Sequence, residues 1–180
     1  MHILVINGSL RKESFNRKLA VAAQGVMPDG VTSELAELHG IPLYDGDVEA
    51  AGLPESVVAF RQKIAAADGV LIAMPEYNFS ISGVLKNAID WASRPPAQPF
   101  HSKPVAMLGT GGMSGTLRGQ MHLRQVFLYL QSYPMGRPEF MLAHASKQFD
   151  AEGQMMDEKA VEQLTKFVEA FVAWVGKMSA

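Results

Sequence analysis

Short runs of aliphatic and β-branched residues, each followed by a longer stretch with helical spacing, recur along this chain and leave few folds open to it. Ile3-Leu-Val-Ile6, Val70-Leu-Ile-Ala73 and Val105-Ala-Met-Leu108 hold no charged residue, which suits strands covered on both faces rather than strands with one wet side. Strands are expected near His2–Asn7, Val31–Leu38, Gly69–Met74, Pro104–Gly109 and Pro138–Leu142. Helices are expected near Phe15–Val26, Pro54–Ala67, Ser82–Ser93, Leu117–Gln131 and Asp157–Lys177. Alternation of this kind predicts an α/β three-layer sandwich, a five-stranded parallel sheet of order 2-1-3-4-5 with helices on both faces. Val161, Leu164, Val168, Phe171, Val172 and Val175 mark the core face of the last helix. The stretch Ile41–Val48 reads as a surface connection. Its Asp45 and Asp47, flanking Gly46, read as turn residues rather than as metal ligands.

With 180 residues, 48% of them hydrophobic and 19% charged, the chain is expected to form a single domain over 1–180. A formal net charge of −2, with neither a basic stripe nor a basic tail, argues against nucleic acid or an anionic membrane as a partner. Cysteine is absent, which excludes disulfides, thiol catalysis and cysteine-held zinc or iron–sulfur centres. No apolar run approaches the ~18 residues a membrane helix needs, and the first strand begins too early for a signal peptide, so a cytoplasmic location is expected.

Open α/β sheets bind ligands beyond the carboxyl ends of their strands, where strand order reverses. In this order that point lies between the first and third strands. After the first strand, Gly8 allows a sharp turn, Ser9, Ser14 and Asn16 supply donors, Arg11 supplies a cation, and the next helix opens with unpaired amides. This is a phosphate cradle built from hydroxyls. Gly8 is its only glycine, so neither the dinucleotide fingerprint nor the Walker loop is present, and a terminal monophosphate suits it better than a pyrophosphate. After the third strand, Pro75-Glu-Tyr-Asn-Phe-Ser-Ile-Ser-Gly83 offers aromatic rings and hydrogen-bonding groups against which a planar ring can lie. After the fourth, Thr110-Gly-Gly-Met-Ser-Gly115 keeps side chains away from an approaching flat ligand.

The segments Gly8-Ser-Leu-Arg-Lys-Glu-Ser-Phe-Asn16, Pro75-Glu-Tyr-Asn78 and Leu85-Lys-Asn-Ala-Ile-Asp-Trp91 resemble the NAD(P)H-dependent FMN reductase family, which is flavodoxin-like, and within it the bacterial quinone and chromate reductases. Ile41-Pro-Leu-Tyr-Asp45, Lys103-Pro-Val105 and His122-Leu-Arg-Gln125 extend the likeness over nearly the whole chain. The resemblance implies that Ser9, Arg11, Ser14, Phe15 and Asn16 hold the phosphate and ribityl end of FMN. It further implies that Pro75, Glu76, Tyr77, Asn78 and Phe79 border the isoalloxazine, and that Thr110, Gly111 and Gly112 sit near its pyrimidine side. The implied activity is ping-pong transfer of electrons from NADPH or NADH to a small acceptor such as a quinone, an azo compound, chromate or free flavin. A homodimer or homotetramer is also implied, and the breadth of the apolar arc Leu117, Met121, Leu123, Val126, Phe127, Leu128 and Leu130 is compatible with one.

Other chemistries have less support. Gly112-Met-Ser-Gly-Thr116 lacks the final glycine of a nucleophile elbow, and the histidines 2, 39, 101, 122 and 144 show no metal-ligand spacing. A phospho-receiver domain needs acidic residues where this chain has Asn7-Gly8. The main alternative is a flavodoxin-type electron carrier, which would be expected to show a strongly acidic docking face. No acid–base residue is assigned, and Glu76 is expected to cap a helix or remain solvated.

Overall fold

The computed structural model describes residues 1–179. Strands β1 (His2–Asn7), β2 (Thr32–Ala36), β3 (Gly69–Ala73) and β6 (Pro104–Thr110) form the parallel centre of one sheet in the order β2-β1-β3-β6. Each aliphatic run pairs with the next in steady register, from Ile3↔Gly69 to Asn7↔Ala73 and from Val70↔Val105 to Ala73↔Leu108. The expected fifth strand, Pro138–Leu142, is present in shortened form, and a further short strand, not among those expected, pairs with the same edge of β6. The further strand is β7 (Tyr133–Pro134), beside Pro104–Val105, and the expected one is β8 (Phe140–Leu142), beside Leu108–Thr110. Pro134 is accommodated because the amides on either side of it, Tyr133 and Met135, donate to Lys103 O and Val105 O, and Pro138, which brings no amide hydrogen, lies between the two strands.

Successive side chains of each strand point to opposite faces, and both faces are dry. Leu4, Ile6, Val70, Ile72, Val105 and Met107 pack under α3 (Glu55–Ala66), α4 (Gly83–Ala92) and α5 (Leu117–Tyr129). Ile3, Val5, Leu71, Ala73, Ala106 and Leu108 pack under α1 (Phe15–Gly25) and α6 (Glu158–Met178). In α6 the expected face is buried at Leu164, Val168, Phe171 and Val175, joined by Phe167, while Val161 and Val172 lie at its margin.

Two elements depart from expectation. Gly46–Ala51 is a short helix, α2, capped by the Asp45 side chain, which accepts from the Asp47 amide, so the acidic pair is part of a helix start. Glu76–Tyr77 and Ser80–Ile81 form a small antiparallel hairpin, β4 and β5, whose corner residues Asn78 and Phe79 both have positive φ (52° and 62°). That handedness matches the twist of a two-residue hairpin. Among the described residues no helix is long and apolar enough to cross a membrane.

Candidate flavin site

Beyond the carboxyl ends of β1, β3 and β6 lies a cavity of about 450 Å³. It is lined by Ser9, Arg11, Ser14, Phe15 and Asn16 from the first loop, Pro75, Glu76 and Tyr77 from the second, and Thr110 and Gly111 from the third. Ten of the thirteen residues expected at a ligand site therefore line one space. Asn78 and Phe79 form the hairpin corner outside it, where the Arg118 guanidinium sits 4.0 Å from the centre of the Phe79 ring. Gly112 also lies outside the lining. Ala145 and Ser146, absent from the sequence reading, complete the wall. They follow β8, whose carboxyl end opens at the same sheet edge, so the rule that pointed to the first three loops pointed to this one as well.

The first loop is held from below. The Gly8 amide donates to the Ala73 carbonyl at 2.8 Å, and the Ser82 hydroxyl donates to the Gly8 carbonyl at 2.6 Å. A Cβ on Gly8 would meet Ala73 O at 3.2 Å and Met74 Cα at 3.3 Å, a tight approach that favours glycine here. Ser9 Oγ accepts the Arg11 amide and Ser14 Oγ accepts the Arg17 amide, each at 3.3 Å. Accepting leaves the hydroxyl hydrogens available, and neither donates elsewhere among the described residues. Ser14 caps α1 through Arg17, so the amides of Phe15 and Asn16 open that helix without intrahelical partners. With Arg11 alongside, its guanidinium 5.0 Å from the centre of the Phe15 ring, this end of the cavity is arranged for an anion.

Asn16 contributes differently from expectation. Its Oδ1 accepts the Thr110 amide at 2.9 Å and its Nδ2 donates to the Thr110 carbonyl at 3.0 Å, a reciprocal pair that fastens the first loop to the third. Thr110 in turn donates its hydroxyl to Leu142 O at 2.9 Å. The Gly111 and Gly112 carbonyls accept the Ala145 and His144 amides, which brings the loop after β8 to the cavity wall.

Glu76 is also committed. Its Oε2 accepts the Gly119 amide at 2.9 Å, satisfying a donor in the first turn of α5 whose own N-cap, Thr116, makes no side-chain capping bond. Arg118 stands 3.8 Å from the same carboxylate. This matches the capping expected of Glu76 and makes it a poor acid–base candidate. Tyr77 is half exposed and lines the cavity.

The family described as NADPH-dependent FMN reductase matches residues 1–147. An NAD(P)H-dependent FMN reductase of Pseudomonas aeruginosa is 49% identical over 177 residues, covering 98% of this chain and 96% of the relative. A quinone reductase of Escherichia coli K12 is 38% identical over 182 residues, covering 99% of this chain and 97% of the relative. Among solved structures, FerB from Paracoccus denitrificans, a flavoenzyme NAD(P)H:(acceptor) oxidoreductase, superposes with a TM-score of 0.89 at 37% identity, covering 98% of both chains.

Proposed function

Because this chain belongs to the NADPH-dependent FMN reductase family, we propose that it is a flavoenzyme that oxidises NAD(P)H and reduces quinones and other small acceptors, among them azo compounds, chromate and free flavin. One observation carries the reading: a single cavity gathers hydroxyls, the first-turn amides of a helix and a cation with a proline, a tyrosine ring and a glycine of the third loop. The donors fit a monophosphate, and the proline, the aromatic ring and the glycine suit a flat ring system. When bound, FMN supplies the hydride-accepting and electron-donating chemistry, and a nicotinamide and an acceptor that use one open face in turn give ping-pong kinetics.

The residues of the chain bind and orient. Ser9, Ser14, Arg11 and the amides of Phe15 and Asn16 hold the phosphate, with Asn16 fixing the loop as well as lining it. Pro75 and Tyr77 border the ring, with Glu76 anchoring their loop and Asn78 and Phe79 forming its corner. Thr110, Gly111 and Gly112 border the pyrimidine edge; the Thr110 and Gly111 N–H groups are bonded to Asn16 Oδ1 and Leu142 O, which leaves the Gly112 N–H to stabilise charge that develops there on reduction. Glu76 is bonded to α5, so proton delivery is assigned to solvent rather than to a side chain.

Protein loaded with FMN should be yellow, lose its colour under anaerobic NADPH or NADH, and regain it on adding a quinone. Retention of FMN in the oxidised state with both nicotinamides would overturn the proposal. Replacing Arg11 with Ala removes one charge-assisted contact and should weaken FMN binding about tenfold or more while leaving riboflavin binding unchanged, as read by flavin fluorescence titration.

On α5 the apolar Leu128 and the aromatic Tyr129 are 77% and 84% exposed, with Leu117 and Met121 also open on that helix. That surface supports assembly as a homodimer or homotetramer, which light scattering on the loaded protein would measure. The supply of NAD(P)H supports a cytoplasmic setting.

A further inference from the structure

Glu37 lies one residue beyond β2, and the parallel register Ile6↔Ala36 carries it alongside Asn7, the residue that leads into the first loop. Its carboxylate accepts from Asn7 Nδ2 at 2.7 Å through one oxygen and from Arg17 Nε at 2.7 Å through the other. Asn7 is almost fully buried, and its amide brackets Ser9: Oδ1 accepts the Ser9 N–H at 3.2 Å and Nδ2 donates to the Ser9 carbonyl at 2.9 Å. A second contact follows the same direction, since the Nε2–H of His39 donates to the Leu10 carbonyl at 3.2 Å. The segment after β2 therefore grips the loop from outside the cavity.

We propose that Glu37 is a positioning residue for the flavin phosphate loop, acting through Asn7 and Arg17 rather than by touching the ligand; this rests on the reading of residues 9–16 as that loop. An ionised carboxylate only accepts hydrogen bonds, so it forces the nitrogen of the Asn7 amide toward itself and the oxygen toward the Ser9 N–H. Ser9 selects the same orientation through its N–H and carbonyl, so the carboxylate completes a set of three bonds; without it the second Nδ2 hydrogen of a buried amide loses its partner and Asn7 is held by Ser9 alone. Arg17, in the first turn of α1, is fixed by the other oxygen, which ties the helix start to the end of β2.

The sign of the effect separates positioning from simple electrostatics. Deleting a carboxylate near the loop, and releasing Arg17 from it, raises the positive potential at the phosphate end. If Glu37 acted only as a charge, its removal would tighten FMN binding. If it positions the loop, removal loosens FMN binding.

The test titrates the apoproteins of the wild type, Glu37→Ala and Glu37→Gln with FMN and with riboflavin, following flavin fluorescence, and melts each apoprotein in parallel. Glu37→Ala should lose FMN affinity about tenfold or more, the size of one lost hydrogen bond to a charged group, with riboflavin affinity and apoprotein melting little changed. Glu37→Gln keeps an acceptor for Asn7 and should recover most of the FMN affinity. FMN affinity in Glu37→Ala equal to or above that of wild type overturns the assignment, as does an equal proportional loss for both flavins together with a lowered melting temperature. Wild-type protein that takes up no FMN would instead overturn the flavin reading, and this assignment with it.

Discussion

Gly109→Ala should remove about 3 kcal/mol or more of folding stability, at the upper end of what overpacking a core costs. An added Cβ would lie 2.2 Å from Thr116 Oγ1, 2.9 Å from Thr116 Cγ2 and 2.5 Å from the backbone oxygen of Met74. None of these neighbours can yield cheaply. Thr116 is fully buried, its β-branch restricts rotation, and its hydroxyl accepts from Gln120 Nε2 at 3.0 Å. Met74 O belongs to the main chain at the exit of β3, immediately before Pro75. Relief requires β6 to move away from the exit of β3, and the segments that follow both strands line the cavity, so FMN binding should fall with stability. Urea denaturation of the apoprotein measures the first effect and flavin titration the second. Gly112→Ala is the matched control, because nothing lies within 4 Å of its would-be Cβ, and its stability should stay within about 0.5 kcal/mol of wild type. A Gly109→Ala protein as stable as that control would refute the packing argument.

The same close approaches explain what could be read from the sequence. Uninterrupted aliphatic runs announce buried parallel strands, and buried parallel strands admit few orders, so the sheet and the switch point between β1 and β3 were legible. Ser9, Ser14 and Arg11 were legible because a hydroxyl-rich loop at a helix start has a direct electrostatic meaning. Less visible were features that depend on partners distant in sequence. The β4–β5 hairpin carries Phe79 at a positive-φ corner position usually given to glycine, so its turn signal is hidden, and the cation of Arg118 over the ring helps hold it. Asp45-Gly46-Asp47 has the composition of a turn yet starts a helix, since a capping aspartate and a turn aspartate look alike until the following residues are placed. Ala145 and Ser146 have no chemical signature at all. They reach the cavity because the carbonyls of Gly111 and Gly112 accept amides from the loop after β8, a pairing of backbones that residue identity does not encode. Asn16 shows the remaining ambiguity: its type and place fit a phosphate ligand, while its amide group is bonded to Thr110.

That ambiguity makes Asn16→Asp the most informative substitution in the site. The wild-type carboxamide presents an acceptor to the Thr110 N–H and a donor to the Thr110 carbonyl, and both residues are buried. An ionised carboxylate keeps the first bond and sets two acceptors against each other at the second, with no hydrogen between them. Leaving a buried carbonyl unpaired costs about 1–3 kcal/mol, and the burial of a charge adds to it, so a loss of about 3 kcal/mol or more is expected near neutral pH. The new charge also faces an end of the cavity arranged for an anion, so FMN affinity should fall by more than the stability defect alone would cause. The pH dependence carries its own sign. Repulsion from the carbonyl and burial both push the protonation range of the introduced carboxyl above its unfolded value. A group raised in this way contributes its stability below the unfolded pKa and loses it as pH rises through the folded one. In protonated form it donates to Thr110 O as the amide did. The variant should therefore approach wild-type stability and FMN binding as pH falls toward the carboxyl range, measured by urea denaturation and flavin titration at paired pH values. Asn16→Ala, which has no proton to regain, should show a defect of about 2 kcal/mol that stays constant relative to wild type across the same range. If the aspartate and alanine variants respond to pH alike, the Asn16–Thr110 pair is not what fastens the first loop to the third.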